Sequence, residues 1–376
     1  MKLNLKSYLG ISLTAVLLTS CSAELNTNII NQADQASTLA KDSSVDEIAN
    51  YLSKIARDDD QMKDVKAQPI EGKVTKALPK FNDKQLTYFT YEALDNNLYG
   101  DLNRVVNTLE SIGSNNNINL VAQTDSWKEN NTARYYISKD TNFELINSQY
   151  LKLGSDSEDS GDPNVFSTAV KWAFSTYPSK TKWLNMSTHG YGFAGIGYDD
   201  NPDNSMDIVS FSQALKKGLG NQKLDIVSFD ACLMSTVEVA SELKDVANIL
   251  IGSEDSTFYW GYGYYKTFSK IAQNSNMKPS EISRSLVLDV NNKGAGNQTF
   301  TIAATDLTKT DILEASINDL SKSLRKALTK ERDNIFRALD KSKPFAMGEG
   351  IPFRDINRVV ALLKDNVKDT DVVSAC

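Results

Sequence analysis

Apolar residues recur along this chain on two different periods. Leu86 to Tyr91 (LTYFTY) is a short run of aromatic, β-branched and apolar residues, the make-up of a strand. From Asp101 to Ile112, apolar residues fall at 102, 105, 106, 109 and 112, the three-to-four spacing of one helix face. Gly113 follows, where a helix end favours glycine. Ile118 to Thr124 and Ala133 to Ser138 read as the next strands. Asp162-Pro163 then opens a helix over Val165 to Tyr177, with proline near its first turn. Trp183 to Thr188, Leu224 to Phe229, Ile249 to Ser253 and Phe300 to Ala304 are further short apolar strands. Helical patterns cover Ser210 to Gly218, Leu233 to Val246 and Pro279 to Val290. Strands joined through helix-length connections predict an α/β fold, a mostly parallel central sheet with helices on both faces. Sites in such sheets lie at the carboxyl ends of the strands.

The two ends of the chain break this pattern. Lys2 and Lys6 precede an apolar run from Leu9 to Leu18, too short to span a bilayer comfortably. Leu18-Thr19-Ser20-Cys21 resembles the bacterial lipoprotein cleavage box, which implies a signal peptide over 1–20 and a lipid on Cys21. An ordinary secretory signal with an incidental cysteine is the alternative. Residues 21–80 are rich in Asn, Gln, Asp, Ser and Lys and predict a low-complexity tether, or else a pro-segment. Residues 81–310 hold the strand-and-helix pattern. Residues 311–376 predict a helical C-terminal extension, and its abrupt end at Cys376 suggests a truncated unit.

Composition narrows the chemistry. The chain has 376 residues, 41 Lys and Arg against 48 Asp and Glu, and a net charge of -7. That acidic balance argues against a nucleic-acid partner. Three cysteines do not make a disulfide framework. One histidine excludes sites built on two imidazoles, so any imidazole acid–base chemistry falls to His189.

His189-Gly190 follows one predicted strand, and Asp230-Ala231-Cys232 follows another. If those strands are neighbours, His189 and Cys232 meet. A cysteine nucleophile needs such a base or imidazolium. The helix expected from Leu233 would further favour a thiolate at its N-terminus. Gly190 allows close approach of a substrate, and the N–H groups of Gly190 and Cys232 could stabilise an oxyanion.

His-Gly and Ala-Cys, each after an apolar strand, resemble the caspase-like cysteine peptidases. Within them the chain is similar to the clostripain family over roughly residues 84–310. Tyr91 to Leu98 (YEALDNNL), Asn119 to Asp125 (NLVAQTD), Gly161-Asp162-Pro163 and Ser187-Thr188-His189-Gly190-Tyr191-Gly192 carry the likeness. So do Phe229 to Met234 with Glu238-Val239-Ala240, and Gly252 to Asp255 with Gly261-Tyr262-Gly263. The resemblance implies a caspase-like (caspase/hemoglobinase) fold, Cys232 as nucleophile and His189 as general acid/base. Gly190 and Cys232 would supply the oxyanion N–H groups. It also implies an acidic pocket for Arg or Lys at P1, the residue before the cut bond, with Asp230 as its carboxylate. A cap on the next helix is the alternative reading of Asp230, with the pocket favoured. Glu254 and Asp255 would add charge to the pocket or face solvent. The aromatic cluster Phe258, Tyr259, Trp260 and Tyr262 would wall a groove or pack over the sheet edge.

Two features depart from the family pattern. Its members often cut themselves after a basic residue between the two motifs, yet residues 190–215 contain no Lys or Arg, which predicts a single chain or activation elsewhere. The same stretch carries oxygen side chains at Asp199, Asn201, Asp203, Ser205 and Asp207, like the first part of a calcium loop, with a second acidic group at Asp156, Glu158 and Asp162. It lacks Gly at the sixth position and Glu at the twelfth, so a solvated loop is the favoured reading. Ca2+ stays an option, and no cofactor is required. The expectation is a cysteine endopeptidase of the bacterial cell envelope, lipid-anchored to the membrane and acting on polypeptides after basic residues. The alternative is a catalytically inactive surface binding protein on the same fold.

Overall fold

The computed structural model describes residues 72–81, 83–99, 102–126, 132–142, 145–154, 159–257, 262, 264–291, 301–345 and 353–376. In chain order these form β1 (Lys84–Leu94), α1 (Leu102–Glu110), β2 (Ile118–Ser126), β3 (Ala133–Tyr136), β4 (Tyr150–Lys152) and α2 (Pro163–Thr176). Next come β5 (Ser179–Ser187), β6 (Ile196–Asp200), β7 (Asp203–Met206), α3 (Ile208–Leu219), β8 (Leu224–Asp230) and α4 (Val237–Leu243). The remainder is β9 (Ala247–Gly252), α5 (Tyr265–Gln273), α6 (Pro279–Asn291), β10 (Ala303–Asp306), α7 (Thr310–Ser342), α8 (Ile356–Asn366) and α9 (Thr370–Ala375).

The main sheet runs β10-β9-β8-β5-β1-β2-β3-β4. Its middle, from β9 to β2, is parallel, while β10, β3 and β4 are antiparallel at the edges. β1 is therefore central. The chain adds β2 on one side and then crosses to place β5 on the other. That reversal makes a topological switch point between β1 and β5, where an open parallel sheet leaves a crevice at its carboxyl edge.

Both faces of the sheet are covered, which explains why β1 is apolar at both parities. Phe89, Tyr91 and Ala93 pack with Leu184, Phe229 and helices α2, α3 and α4. Leu86 and Tyr88 pack with Trp183, Ile226 and helices α1, α5 and α6. Trp183 is fully buried, stacks on Phe268 at 5.4 Å and donates Nε1–H to Ser228 at 2.8 Å. Toward the carboxyl edge this second face turns polar: Thr90, Glu92, Asn185, Ser228 and Asp230 are all buried there. Buried polar groups need partners, and Asn185, Ser228 and Asp230 find them in one another and in Tyr264.

Several expectations change. The segment 72–80, expected as tether, belongs to the fold. Gly72 and Thr75 donate to the carbonyls of Ile146 and Tyr150, Val74 bridges Tyr150, and Leu78 is buried. Residues 1–71, including Cys21, lie outside the described residues. The acidic loop from Tyr198 is a hairpin, β6 and β7, rather than a loop. The C-terminal extension is tied to the sheet domain. Lys244 pairs with Asp311 and Glu314 at 2.7 Å each, and Phe353 reaches back to Cys232. Among the described residues no helix is long and apolar enough to cross a membrane.

Candidate active site

The crevice at the switch point gathers three chain segments. The loop after β1 carries Asp95, Asn96 and Asn97. The loop after β5 carries His189 and Gly190. The turn after β8 carries Ala231 and Cys232. β5 and β8 are adjacent, with Ser187 opposite Asp230, and Thr188 N–H donates to the Asp230 carbonyl at 3.2 Å. A Cβ on Gly190 would lie 2.5 Å from the Cys232 carbonyl oxygen and 2.9 Å from the Ala231 methyl. Only glycine fits this close approach of two backbones. The histidine and cysteine motifs are thus locked together at the backbone.

The turn after Cys232 differs from the expected helix. Leu233 has φ +62°, a left-handed conformation rare for a non-glycine residue. Such a residue costs about 1–3 kcal/mol and persists where its surroundings over-determine it. Here the Leu233 side chain is fully buried, its N–H donates to the Asp255 carbonyl at 3.1 Å, and Ser235 N–H donates to Ser253 at 2.8 Å. α4 starts only at Val237, with Thr236 as its cap. The helix therefore starts five residues beyond Cys232 rather than at Leu233, and the cap role considered for Asp230 belongs to Thr236.

Cys232 is buried, and Thr257 N–H points at its sulfur at 3.5 Å. It clusters with Leu233, Phe353, Tyr191, Phe193 and Phe345. Phe353 lies over Gly192, which has φ +60° and would clash with the ring if it carried a Cβ. The C-terminal part of the chain thus forms one wall beside the candidate nucleophile. Nothing in the sequence pattern pointed to Phe353.

His189 is half-buried, and its Nε2 lies 2.6 Å from Asn97 Oδ1. The Tyr198 ring stands edge-on to it at 6.5 Å. Protein packed round the ring pushes its pKa down to about 4. The imidazole is thus neutral at neutral pH, able to accept a proton. Between pH 6.5 and 4 the unfolded chain binds a proton that the folded chain does not, so stability falls as pH drops through that window. The melting temperature of the wild type should fall more steeply from pH 6.5 to 4 than that of His189→Gln. Parallel slopes would remove the neutral-imidazole assignment.

Asp230 ends β8 inside the polar patch of the second sheet face. Tyr264 O–H lies 2.9 Å from both carboxylate oxygens, and Asn185 Nδ2 donates to Oδ2 at 2.9 Å. Burial pushes Asp230 up to about 7, against the opposing pull of these hydrogen bonds. Burial, then the nearby Asp230, holds the Tyr262 hydroxyl well above its usual pKa. Sequence reasoning missed Asn185 and Tyr264, which hold the carboxylate. Their signal was polar residues at inward positions near strand ends.

Glu254 and Asp255 follow β9. Glu254 N–H donates to Thr301 Oγ1 at 2.8 Å, and burial, then the nearby Asp355, raises its carboxyl above the usual range. Asp255 Oδ1 accepts from Ser256 N–H at 2.8 Å. Of the aromatic cluster, Tyr262 is buried against Tyr264, and Phe258, Tyr259 and Trp260 lie outside the described residues.

The acidic positions considered for calcium divide among other tasks. Asp199 accepts from Ser160 N–H at 2.7 Å and Asn201 N–H at 2.9 Å, while Asp207 caps α3 through Ser210 N–H at 2.6 Å. Asp203 pairs with Asp200 across the hairpin. Among the described residues no three His, Cys, Asp or Glu side chains converge as a metal group. Asp156 and Glu158 lie outside them.

The model of the clostripain family matches residues 90–362, well past the expected boundary at 310. Clostripain of Hathewaya histolytica is 24% identical over 232 residues, which is 53% of this chain and 44% of that protein. The chain therefore spans less than half the length of that relative. A secreted C11 cysteine protease from Bacteroides thetaiotaomicron, solved with an irreversible peptide inhibitor, superposes with TM-score 0.52 at 24% identity, covering 64% of this chain and 71% of that one. An inactive zymogen C11 protease from Parabacteroides distasonis superposes with TM-score 0.59 at 19% identity, covering 80% and 82%. The solved structures establish a shared caspase-like fold. The family match covers most of the chain and includes both strand ends that carry His189 and Cys232, and the chain belongs to the clostripain family of cysteine peptidases.

Proposed function

We propose that the protein is a cysteine endopeptidase that cuts after Arg or Lys through Cys232 and His189. The observation that supports this reading is the backbone lock between Gly190 and Cys232, which joins the loop carrying the chain's one histidine to the turn carrying a buried cysteine. In the proposed reaction the neutral imidazole takes the thiol proton as sulfur attacks the scissile carbonyl. The N–H groups of Gly190 and Cys232 stabilise the oxyanion. The imidazolium then protonates the leaving amine, and water, deprotonated by the imidazole, releases the acyl group from sulfur. Asp230 receives the basic P1 side chain as a buried carboxylate. Glu254 and Asp255 lend negative charge from the next strand end, and polypeptides with basic residues are the substrates. A panel of fluorogenic peptides with Arg, Lys, Asp or Leu at P1 tests this. Hydrolysis confined to Arg and Lys supports it, while turnover of Asp or Leu peptides at equal rates would exclude it.

We also propose export and lipid anchoring through Cys21, on the strength of the charged start, the apolar run and the Leu18 to Cys21 box. The solved Bacteroides thetaiotaomicron relative is described as secreted. Cys21→Ser should lose radiolabelled fatty acid and leave the membrane fraction. An unchanged membrane fraction would remove the anchor.

A further inference from the structure

We propose that Asn97 is a positioning residue for His189, its Oδ1 accepting from Nε2–H and so reserving the Nδ1 lone pair for the thiol of Cys232. This rests on the dyad reading above. The bond is 2.6 Å, short even for a side-chain pair. An amide oxygen can only accept, so Nε2 must carry the proton and Nδ1 must be the basic nitrogen.

The loop that presents Asn97 is clamped for this task. Asn96 Nδ2 donates to the carbonyls of Ala93 at 3.1 Å and Tyr198 at 2.8 Å. Its Oδ1 accepts from Leu98 N–H at 2.9 Å, and Asp200 N–H donates to the Asp95 carbonyl at 2.7 Å. The loop after β1 is thereby pinned to β6, the strand whose Tyr198 ring flanks the imidazole. Asn97 itself is exposed and spends its oxygen on His189. The topology supplies the reason. β1 and β5 are the two strands of the switch point, so a residue just past the end of β1 is the natural neighbour of one just past the end of β5.

Proton bookkeeping is complete with Asn97 as a spectator. When sulfur bonds to the carbonyl carbon, the thiol proton moves to Nδ1 and both ring nitrogens carry hydrogen. The Nδ1 proton then leaves with the amine as the C–N bond breaks. Nε2–H stays bonded to Asn97 throughout, so the amide oxygen steadies the imidazolium.

The single histidine makes the test direct, because histidine-specific 15N labelling gives signals from one ring only. The full chain is prepared without a histidine tag, and long-range 1H–15N correlation is recorded at neutral pH. The wild type is expected to show protonated Nε2 and unprotonated Nδ1. Asn97→Ala is expected to show the two tautomers in exchange, and kcat lower by about 10- to 100-fold with KM within about twofold. Asn97→Asp, which keeps an acceptor, should restore the Nε2–H form and most of kcat. A wild-type ring protonated at Nδ1, as an amide turned to donate its Nδ2–H would require, overturns the proposal. So does Asn97→Ala with unchanged nitrogen shifts and full kcat. The ring signals are read whether or not the chain cleaves a peptide, so failure of the dyad reading, seen as a Cys232→Ala protein that still hydrolyses substrate, is a separate result.

Discussion

Cys232→Ala should abolish peptide hydrolysis, by about a thousandfold or more, and His189→Ala should do nearly the same. The two losses should not add, because nucleophile and base act in one step. Neither change should unfold the protein. Cys232 contributes a single sulfur to a small cluster with Leu233 and Phe353, and the fold is carried by the two large cores on either face of the sheet. Burial holds the imidazole neutral, its pKa pushed down to about 4, which leaves one ring nitrogen with a free lone pair. Removing it leaves no second histidine to substitute. Rates measured on an Arg peptide under reducing conditions, with circular dichroism as the control on folding, decide the matter. Retained hydrolysis in either variant would exclude the dyad. A wild type without hydrolysis would return the chain to the reading as a silent binding protein.

Asp230→Asn should lower kcat/KM for Arg and Lys substrates by about 100- to 1000-fold, the scale of removing one partner from a buried, hydrogen-bonded charge pair. Substrates without a basic P1 should change little. The substitution is nearly isosteric, and Tyr264 and Asn185 remain to bond the new amide. The pH dependence is a second readout with a definite sign. Burial raises Asp230 to about 7, so below that pH the group is largely a neutral acid and above it a carboxylate. A guanidinium or ammonium group binds the carboxylate. KM for basic substrates should therefore fall as pH rises through about 7, and this trend should flatten in Asp230→Asn. An unchanged preference for Arg in the variant would place the specificity determinant elsewhere.

The strands that build the crevice were legible because each is a short apolar run, and a parallel sheet covered on both faces demands apolar residues at both parities. The predicted run Leu224 to Phe229 differs from β8 by one residue, Asp230. That residue is the buried carboxylate, a polar group that apolar patterning rejects and that tertiary partners make tolerable. The helix after Cys232 was misplaced for a related reason. Leu233-Met234 continues the apolar pattern, but Leu233 adopts φ +62° because long-range bonds to Asp255 and Ser253 hold the turn. The hairpin of β6 and β7 was hidden by its acidic composition, which looks like loop until its pairing is seen.

The sequence by itself determined most strands of the main sheet, the lone histidine, the candidate cysteine and the motifs that carry the family. These rest on local pattern and residue type, which neighbouring positions reveal. The tertiary structure decided which strand ends meet. Asn97, 92 residues before His189, and Phe353, far beyond Cys232, come to the site only because the sheet reverses direction at β1 and the C-terminal segment folds back over it. Contacts between such distant positions depend on sheet order and loop geometry, and no periodicity along one chain encodes them.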